Sequence, residues 1–331
     1  MKIVYFGTPQ FAVPSLLRLL NDPDFDVVAV VTQPDKRRGR GSKMTPSPIK
    51  TVATEAGIPL WQPQKIKQDT ATLDLLRSCQ ADAFVVVAYG QILSQEILDM
   101  PRLGAINGHG SILPAYRGAA PIQWSLHHGD AETGVTTMLM DAGMDTGPML
   151  LKTTMPIGLL DNAWTVAETL SQLTAELLPN TLHQLDGQTL RPIPQTPAQA
   201  TYAPLIKKAD YTIDWQRSAL AIHNQVRGFY PNCVTQLRQQ PLKISETIPL
   251  IENVWPQLPP DYQPLKDLYR TLQPTPPGQI AALWKNYGPV IATGEGYLLL
   301  RQVQPAGKKS QSGWVLANGN RLAVGEQLGT P

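Results

Sequence analysis

Short apolar runs and helix-compatible stretches alternate along the first half of the chain. The apolar runs cover residues 2–7, 27–32, 58–62, 84–90, 105–110 and 134–140. The helix-compatible stretches are 11–20, 48–56, 72–79, 119–128 and about 163–185. Strands of a parallel sheet are buried on both faces, so they are continuously apolar, and helices connect them. The pattern therefore predicts an α/β domain with a parallel sheet covered on both faces.

The chain changes character near residue 190, where a proline-rich run, RPIPQTPAQ, follows the last helical stretch. Beyond it, strand-like pieces at 234–237, 242–245, 278–284, 290–293 and 296–304 are separated by Gly, Asn and Pro. Short strands at such spacing are typical of a small barrel or sandwich. We therefore predict a first domain over 1–189, a linker over 190–207 and a second domain over 208–331. The proline-rich stretch 249–277 predicts a long irregular loop within the second domain.

Composition and cysteine usage narrow the class of protein. Of 331 residues, 42% are hydrophobic and 16% are charged, and no apolar run approaches the length of a membrane span. The N-terminus enters an apolar run directly, without a basic leader, so we expect a cytoplasmic protein with no membrane partner. Cys79 and Cys233 lie far apart in the sequence, which argues against a disulfide framework or a Cys-x-x-Cys metal site. Both should be free thiols.

The near-zero net charge conceals an asymmetry. Residues 1–200 carry 15 Lys and Arg against 18 Asp and Glu, whereas residues 201–331 carry 13 against 8. One segment of the acidic half is strongly basic and contains no acid, with Lys36, Arg37, Arg38, Arg40 and Lys43. A solvated surface loop is the default interpretation of this segment. Contact with a polyanion is the functional alternative, because guanidinium groups between flexible glycines suit phosphate groups.

The turn after the first strand argues against a dinucleotide cofactor. A Rossmann domain would carry Gly-x-Gly-x-x-Gly there, but Pro9 occupies the position of the second glycine. We expect a tight turn that binds no nucleotide.

The densest group of polar residues begins within the fifth run, at 105–110, and continues beyond it. Side chains two residues apart on a strand point the same way, so Asn107 and His109 should share one face, with Gly108 and Gly110 allowing close approach of a ligand. At the carboxyl end of a parallel strand they would line the ligand crevice.

A glycine-rich loop further along the chain contains Asp141 and Asp145. The acids could cap main-chain amides in an Asx-turn, and for Asp141 this reading and a functional one remain open. Asp145 could meet His109 and fix the tautomer of its imidazole.

These segments, taken together, resemble the methionyl-tRNA formyltransferases. The resemblance covers nearly the whole chain and rests on FGTP at 6–9, TQPD at 32–35, VVVAYG at 85–90, NGHGSILP at 107–114, RGAAPIQ at 117–123, DAGMDTG at 141–147, QPAGKK at 304–309 and GNRL at 319–322. Two positions depart from the family pattern. Gly108 stands where an apolar residue is usual, and Ile112 stands where the family's loop has leucine.

The resemblance implies a Rossmann-like formyltransferase domain followed by a small OB-like β-barrel that binds tRNA. It implies transfer of the formyl group of 10-formyltetrahydrofolate to the methionine of initiator methionyl-tRNA, by a monomer that needs neither metal nor nucleotide. The implied catalytic residues are Asn107, His109 and Asp145. The implied folate contacts are Tyr89, Gly90, Ser111, Ile112, Leu113, Pro114 and Asp141. The implied tRNA contacts are Arg37, Arg38, Arg40, Lys43, Lys308 and Lys309, of which Arg40 stands at the family's most important arginine.

The residue types suit this chemistry. When an amine attacks a formyl carbon an oxyanion develops, and a fixed amide donor such as Asn107 could stabilise it by about 3 to 4 kcal/mol. The amine must lose a proton and the leaving nitrogen must gain one, which suits His109. Two alternatives stay open at this point. The acceptor could be a phosphoribosyl amine or an amino-sugar nucleotide, or the chain could be an RNA-binding protein with an inactive transferase domain.

Overall fold

A computed structural model describes residues 1–38 and 43–329, which divide into two compact units. The first unit comprises Met1–Pro121, Thr133–Met155 and Ala167–Ala203. The second comprises Ile122–Glu132, Pro156–Val166 and the chain from Pro204 onward. Each unit therefore contains pieces that lie far apart in the sequence.

Most elements in the first part of the chain match the predicted stretches. The strands are β1 (Lys2–Gly7), β2 (Asp26–Val31), β3 (Lys36–Arg38), β4 (Lys43–Thr45), β5 (Leu60–Trp61), β6 (Ala83–Val87), β7 (Ala105–His109), β8 (Arg117–Gly118), β9 (Glu132–Leu139), β10 (Met149–Pro156) and β11 (Tyr202–Ala203). The helices are α1 (Val13–Leu20), α2 (Pro48–Glu55), α3 (Thr70–Ser78), α4 (Gln95–Leu98), α5 (Pro121–His128) and α6 (Ala163–Asp186). The last of these continues through Pro179.

Seven strands form one sheet in the order β10-β9-β7-β6-β1-β2-β5. The pairs from β7 to β5 are all parallel. β9, however, is antiparallel to β7, so the prediction of a wholly parallel sheet is wrong at this edge. An apolar run indicates burial and not direction, which is why the sequence pattern could not show the reversal. The predicted α/β class is confirmed.

Both faces of this sheet are buried, as the continuous apolar runs require. Ile3 and Tyr5 of β1 pack into a cluster with residues of α1, α2 and α6, whereas Val4 and Phe6 pack on the other face with residues of α3 and α4. The sheet is therefore a rigid platform, and the residues that follow its parallel strands meet at one edge.

The second unit is built around a curled antiparallel sheet. Its strands are β12 (Val234–Leu237), β13 (Gln240–Leu250), β14 (Ile280–Trp284), β15 (Gly288–Ala292), β16 (Tyr297–Pro305), β17 (Gln311–Ser312) and β18 (Leu328–Gly329), and its further helices are α7 (Ala219–Gly228), α8 (Leu265–Tyr269) and α9 (Gly313–Gly319). The strand order is β14-β15-β16-β13-β12-β18, with β17 beside β16. Gln279 and Gln327 bridge the two ends of this order, so the predicted barrel-like form is confirmed.

The proline-rich stretch 249–277 differs from the predicted irregular loop. It forms 3-10 helices at Glu252–Gln257 and Pro260–Tyr262 and then α8. Trp255, Leu258 and Leu265 are buried in a cluster on one face of the curled sheet. Proline fixes the backbone without preventing short helices, so the stretch covers a core face.

Residues 190–203, predicted to be a linker, pack within the first unit. β11 pairs in parallel with β8, and the main chains of Ile193 and Met149 bond to each other. The units divide after Ala203, inside the predicted linker, and not at its start.

No helix among residues 1–38 and 43–329 is both long and apolar enough to cross a membrane. Cys79 and Cys233 are free, as predicted.

Candidate active site

β7 positions Asn107 and His109. Asn107 lies beside Val86 of β6 and opposite Met138 of β9, and His109 lies opposite Thr136. Because the two residues are two positions apart, their side chains leave the same face of the sheet. His109 is only 6% exposed, whereas Asn107 is partly exposed. The register thus places an amide and an imidazole side by side at the end of a central strand.

Gly108 is explained by the close approach of α6. A Cβ atom at this position would lie 2.6 Å from Cγ2 of Thr174, which is fully buried. A side chain therefore fits only if the helix or the strand moves. The departure from the family pattern does not displace His109, since the pairing of β7 with β9 continues through it.

A main-chain carbonyl sets the tautomer of His109. Nε2 lies 3.0 Å from the carbonyl oxygen of Tyr116. A carbonyl can only accept, so Nε2 carries the proton and Nδ1 of the neutral ring presents its lone pair. Asp145 Oδ2 is 3.7 Å from Nδ1, which is too far for a hydrogen bond to fix the ring. In this structure the carbonyl of Tyr116 therefore sets the tautomer, and the orienting role predicted for Asp145 stays a prediction.

Asp145 nevertheless meets both β7 side chains. Its Oδ1 lies 3.4 Å from Nδ2 of Asn107, and its Oδ2 accepts a 2.8 Å bond from the amide of Gly118. The backbone of Asp145 has φ of +53°, a left-handed conformation that aspartate tolerates. The structure brings the three predicted side chains together.

Asp141 forms an Asx-turn, which is one of the two possibilities considered for it from the sequence. Its Oδ1 accepts bonds from the amide of Gly143 at 3.1 Å and from Oγ1 of Thr146 at 2.7 Å. The carboxylate shapes the loop that carries Asp145, and its predicted folate contact stays a prediction.

The side chain of Thr136 in β9 anchors the main chain of the segment Ser111–Pro114. Thr136 Oγ1 donates to the carbonyl of Ser111 and accepts from the amide of Leu113. Ser111 and Leu113 are buried, and Leu113 packs with Met138 and Met149. Ile112 and Pro114 are partly exposed. Of the four predicted folate contacts, Ile112 and Pro114 can therefore offer side-chain surface, whereas Ser111 and Leu113 support them.

Tyr89 and Gly90, which follow β6, present main-chain groups at the edge of the site, whereas the phenol ring of Tyr89 is packed inside the domain. The ring of Tyr89 packs edge-on against Phe6, and burial raises the pKa of its hydroxyl. Its carbonyl accepts from Thr8 Oγ1 and Gln33 Nε2, and Gln33 Nε2 also bonds the carbonyl of Gly90. The predicted Tyr89 contact can therefore involve its backbone only.

Sequence reasoning missed the amides that organise this edge. Gln33 ties the end of β2 to the turn after β6, and Gln195 bonds the main chain around Asp145. Glutamines in loops carry no periodic signal, so only the position of Gln33 within the TQPD segment could have drawn attention to it.

The basic segment is partly a β-hairpin. β3 and β4 pair antiparallel, with Arg37 opposite Met44 and Arg38 opposite Lys43. Arg37 and Lys43 are exposed, and Arg40 lies outside the described residues. In the second unit, Lys308 and Lys309 are exposed after β16. The exposed cations thus remain available for phosphate contacts.

The part of the chain that the structure describes contains no group of three or more His, Cys, Asp or Glu side chains suited to hold a metal ion. Asn107, His109 and Asp145 instead form a set suited to moving a proton and stabilising an oxyanion.

Known proteins resemble this chain over both units. Residues 1–182 match the formyl transferase family, and residues 205–321 match the formyl transferase C-terminal domain. The methionyl-tRNA formyltransferase of Cyanothece sp. is 61% identical over 99% of both chains. The enzymes of the same name from Trichodesmium erythraeum and Synechocystis sp. are each 60% identical over at least 98% of both chains.

Solved structures share the fold at low identity. An N-formyltransferase from Helicobacter canadensis, crystallised with folinic acid and dTDP-3-aminofucose, has a TM-score of 0.63 at 18% identity, covering 92% of this chain and 99% of its own. HypX from Aquifex aeolicus with tetrahydrofolic acid has a TM-score of 0.60 at 13% identity, covering 99% of this chain and 48% of its own.

Proposed function

Because this chain belongs to the methionyl-tRNA formyltransferase family, we propose that Asn107, His109 and Asp145 carry out the family's reaction. That reaction moves the formyl group of 10-formyltetrahydrofolate to the amino group of methionine on initiator methionyl-tRNA. The observation that supports the assignment is the convergence of Asn107 and His109 on the two carboxylate oxygens of Asp145.

His109 accepts the proton of the attacking amine at Nδ1. Its Nε2 is already committed to the carbonyl of Tyr116, so Nδ1 is the only basic atom of the ring. Protonation places a positive charge 3.7 Å from Asp145 Oδ2, where the carboxylate stabilises it. The same proton can then pass to the leaving folate nitrogen, since one group can serve as base and then as acid.

Asn107 donates to the developing oxyanion. Its Nδ2 has two N–H groups, and the contact with Asp145 Oδ1 at 3.4 Å is long. The other N–H can therefore point at the substrate while Asp145 keeps the amide oriented. A fixed donor of this kind contributes about 3 to 4 kcal/mol of transition-state stabilisation.

The folate contacts come from three neighbouring segments of the first unit. Ile112 and Pro114 offer apolar surface, and Tyr89 and Gly90 offer main chain at the end of β6. Asp141 acts through the shape of its loop. The pairing of β6 with β7 supports this assignment of folate contacts, because it places the two strands side by side in the sheet.

The basic hairpin and the second unit bind tRNA. Arg37 and Lys43 carry exposed charge on β3 and β4, Lys308 and Lys309 do so after β16, and Arg38 and Arg40 belong to the same basic segment. We also propose that the enzyme acts as a cytoplasmic monomer. A monomer is sufficient because Asn107, His109 and Asp145, the catalytic trio, all come from one chain. A cytoplasmic location fits an acceptor that is a charged tRNA.

A formyl-transfer assay with a radiolabelled donor tests the acceptor. Charged initiator tRNA, charged elongator tRNA and an amino-sugar nucleotide are compared at equal concentration. We expect rapid labelling of the initiator tRNA alone, and ribonuclease treatment of that substrate should abolish it. Labelling of the sugar nucleotide at a similar rate would overturn the assignment, and binding of tRNA without any transfer would favour an inactive RNA-binding protein.

A further inference from the structure

We propose that the segment 193–203 is part of the catalytic machinery and that Gln195 is a positioning residue for Asp145. The inference rests on the proposed role of Asp145. The two family models match residues 1–182 and 205–321, so this segment belongs to neither. Its composition had suggested only a linker.

Gln195 clamps the loop that carries Asp145. Its Nε2 donates to the carbonyl of Asp145 at 2.8 Å and to the carbonyl of Gly147 at 2.7 Å. Both donor hydrogens of the amide are thereby used on the main chain at and near the carboxylate. Because Asp145 has a left-handed backbone, its side-chain direction depends on the surrounding loop being held. Gln195 supplies that hold from fifty residues away.

Arg117 fixes which way the amide of Gln195 faces. Its Nε and Nη2 donate to Oε1 of Gln195 at 3.0 Å and 2.8 Å. Arg117 is only 5% exposed, so its guanidinium has little access to water, and the amide oxygen of Gln195 accepts from two of its nitrogens. These bonds turn Oε1 toward Arg117 and the amide nitrogen toward Asp145 and Gly147.

The same segment also anchors Tyr116 and Arg117, which lie in the loop that contacts His109 and Asp145. Thr201 accepts the amide of Tyr116 on Oγ1 at 2.9 Å and the amide of Arg117 on its carbonyl at 2.9 Å. Tyr116 bonds His109, and Gly118 bonds Asp145. Residues 193–203 thus anchor both loops that orient the imidazole and the carboxylate.

Gln195→Glu separates the clamp from the general integrity of the segment. A carboxylate can still accept from Arg117, but it cannot donate to the two carbonyls and its second oxygen repels them. We expect the single-turnover rate of formyl transfer to fall about 10- to 100-fold, as a small misplacement of a catalytic group does. KM for folate and tRNA should change little, and circular dichroism at the assay temperature checks that the variant is folded. Gln172→Ala, which removes an exposed glutamine of α6 outside this segment, is the matched control and should behave as wild type.

A double-mutant cycle with Asp145→Asn tests whether Gln195 acts through Asp145. If it does, Gln195→Glu should slow transfer by less than about 3-fold once the carboxylate is gone, since coupled effects are not additive. Wild-type turnover in Gln195→Glu, or the same fold-loss in both backgrounds, would overturn the inference. The proposed function is tested separately by His109→Ala. If that variant is slow while the Gln195 variants are normal, only the positioning role fails.

Discussion

At the scale of single residues, the division of labour around His109 decides the mechanism. Tyr116 bonds the ring through Nε2, and in the proposed mechanism Asp145 contributes charge. In that mechanism Nδ1 is the atom that exchanges protons. The contact between Asp145 and Gly118 matters for the same reason, because it holds the carboxylate in place when the imidazole is neutral.

Asp145→Asn should therefore impair turnover without unfolding the loop. The amide oxygen of asparagine can still accept from Gly118, but the negative charge that faces protonated His109 is lost. We expect kcat to fall about 10²- to 10⁴-fold at saturating folate and tRNA, with KM values nearly unchanged. Steady-state kinetics on the purified variant measures this. A kcat within a factor of two of wild type would remove Asp145 from the mechanism.

His223, in the second unit, should make stability depend on pH. It is 3% exposed and bonds Thr247 through Nδ1 and the carbonyl of Leu159 through Nε2. Burial, with a smaller contribution from Arg227, lowers its pKa to about 4. The unfolded chain binds a proton near pH 6.5, so this stability is full above pH 6.5 and is lost as the pH falls toward 4.

From pH 7 to pH 5 the loss attributable to His223 should be about 2 kcal/mol. Urea unfolding at the two pH values measures it, with His223→Gln as the comparison. Glutamine can occupy the same two hydrogen bonds but does not titrate, so the pH 7-to-5 difference should shrink. An equal difference in both proteins would show that other groups, such as His127, account for the acid sensitivity.

At the scale of secondary-structure elements, the contact of β7 with α6 constrains the site closely. Gly108→Ala places a methyl group 2.6 Å from Cγ2 of Thr174, which is fully buried. We expect a loss of about 1 to 3 kcal/mol of stability, together with reduced turnover because His109 follows directly. Thr174→Ser should compensate. It removes Cγ2 and keeps the hydroxyl that bonds the carbonyl of Leu170.

The Gly108→Ala/Thr174→Ser double variant should thus be more stable than Gly108→Ala alone. Thermal unfolding of the four proteins in this cycle measures the coupling. Simple additivity of the two substitutions would mean that the contact is not what excludes a side chain at position 108.

The β3–β4 hairpin should contribute to tRNA affinity through charge. Each phosphate contact gives a log-log salt slope of about 0.7 to 0.9, so Arg37→Ala/Lys43→Ala should flatten the slope and raise KM for tRNA. Replacing Lys65 and Lys67 by alanine removes two exposed charges elsewhere in the first unit and is the matched control. Equal slopes for the two double variants would favour a merely solvated hairpin. Arg40→Ala, in the same basic segment, should likewise raise KM for tRNA and leave folate binding unchanged.

Some elements could be predicted because their burial is local. β1 and β6 are continuously apolar, and α2 begins at the start of its predicted stretch, where Ser47 caps it by accepting from the amide of Lys50. α7 could not be predicted, because several of its residues are polar and yet buried. His223 and Arg227, for example, form hydrogen bonds where they are buried. The edge strand β10 was missed for the opposite reason, since exposed side chains such as Lys152 and Thr154 interrupt its apolar pattern.

At the scale of the whole molecule, chain segments distant in sequence complete each unit. The shared face of Asn107 and His109 could be predicted from strand alternation, whereas the proximity of Asp145 was an expectation that the resemblance supported. Gln195 could not, since no periodic pattern relates a loop amide to Asp145. The prediction of a linker over 190–207 likewise read proline content as flexibility, whereas the structure uses these residues to hold two loops of the first unit.

The central claim is that His109 and Asn107 perform formyl transfer from 10-formyltetrahydrofolate to initiator methionyl-tRNA. The most direct measurement is the single-turnover rate of transfer with enzyme in excess over charged tRNA and with folate saturating. His109→Ala and Asn107→Ala are compared with wild type, and His183→Ala, which removes a partly exposed histidine elsewhere in the first unit, serves as the control. The account predicts a rate at least about 10²-fold lower for each site variant, with folate and tRNA affinity and melting temperature preserved. A rate in either site variant equal to that of the control would contradict it.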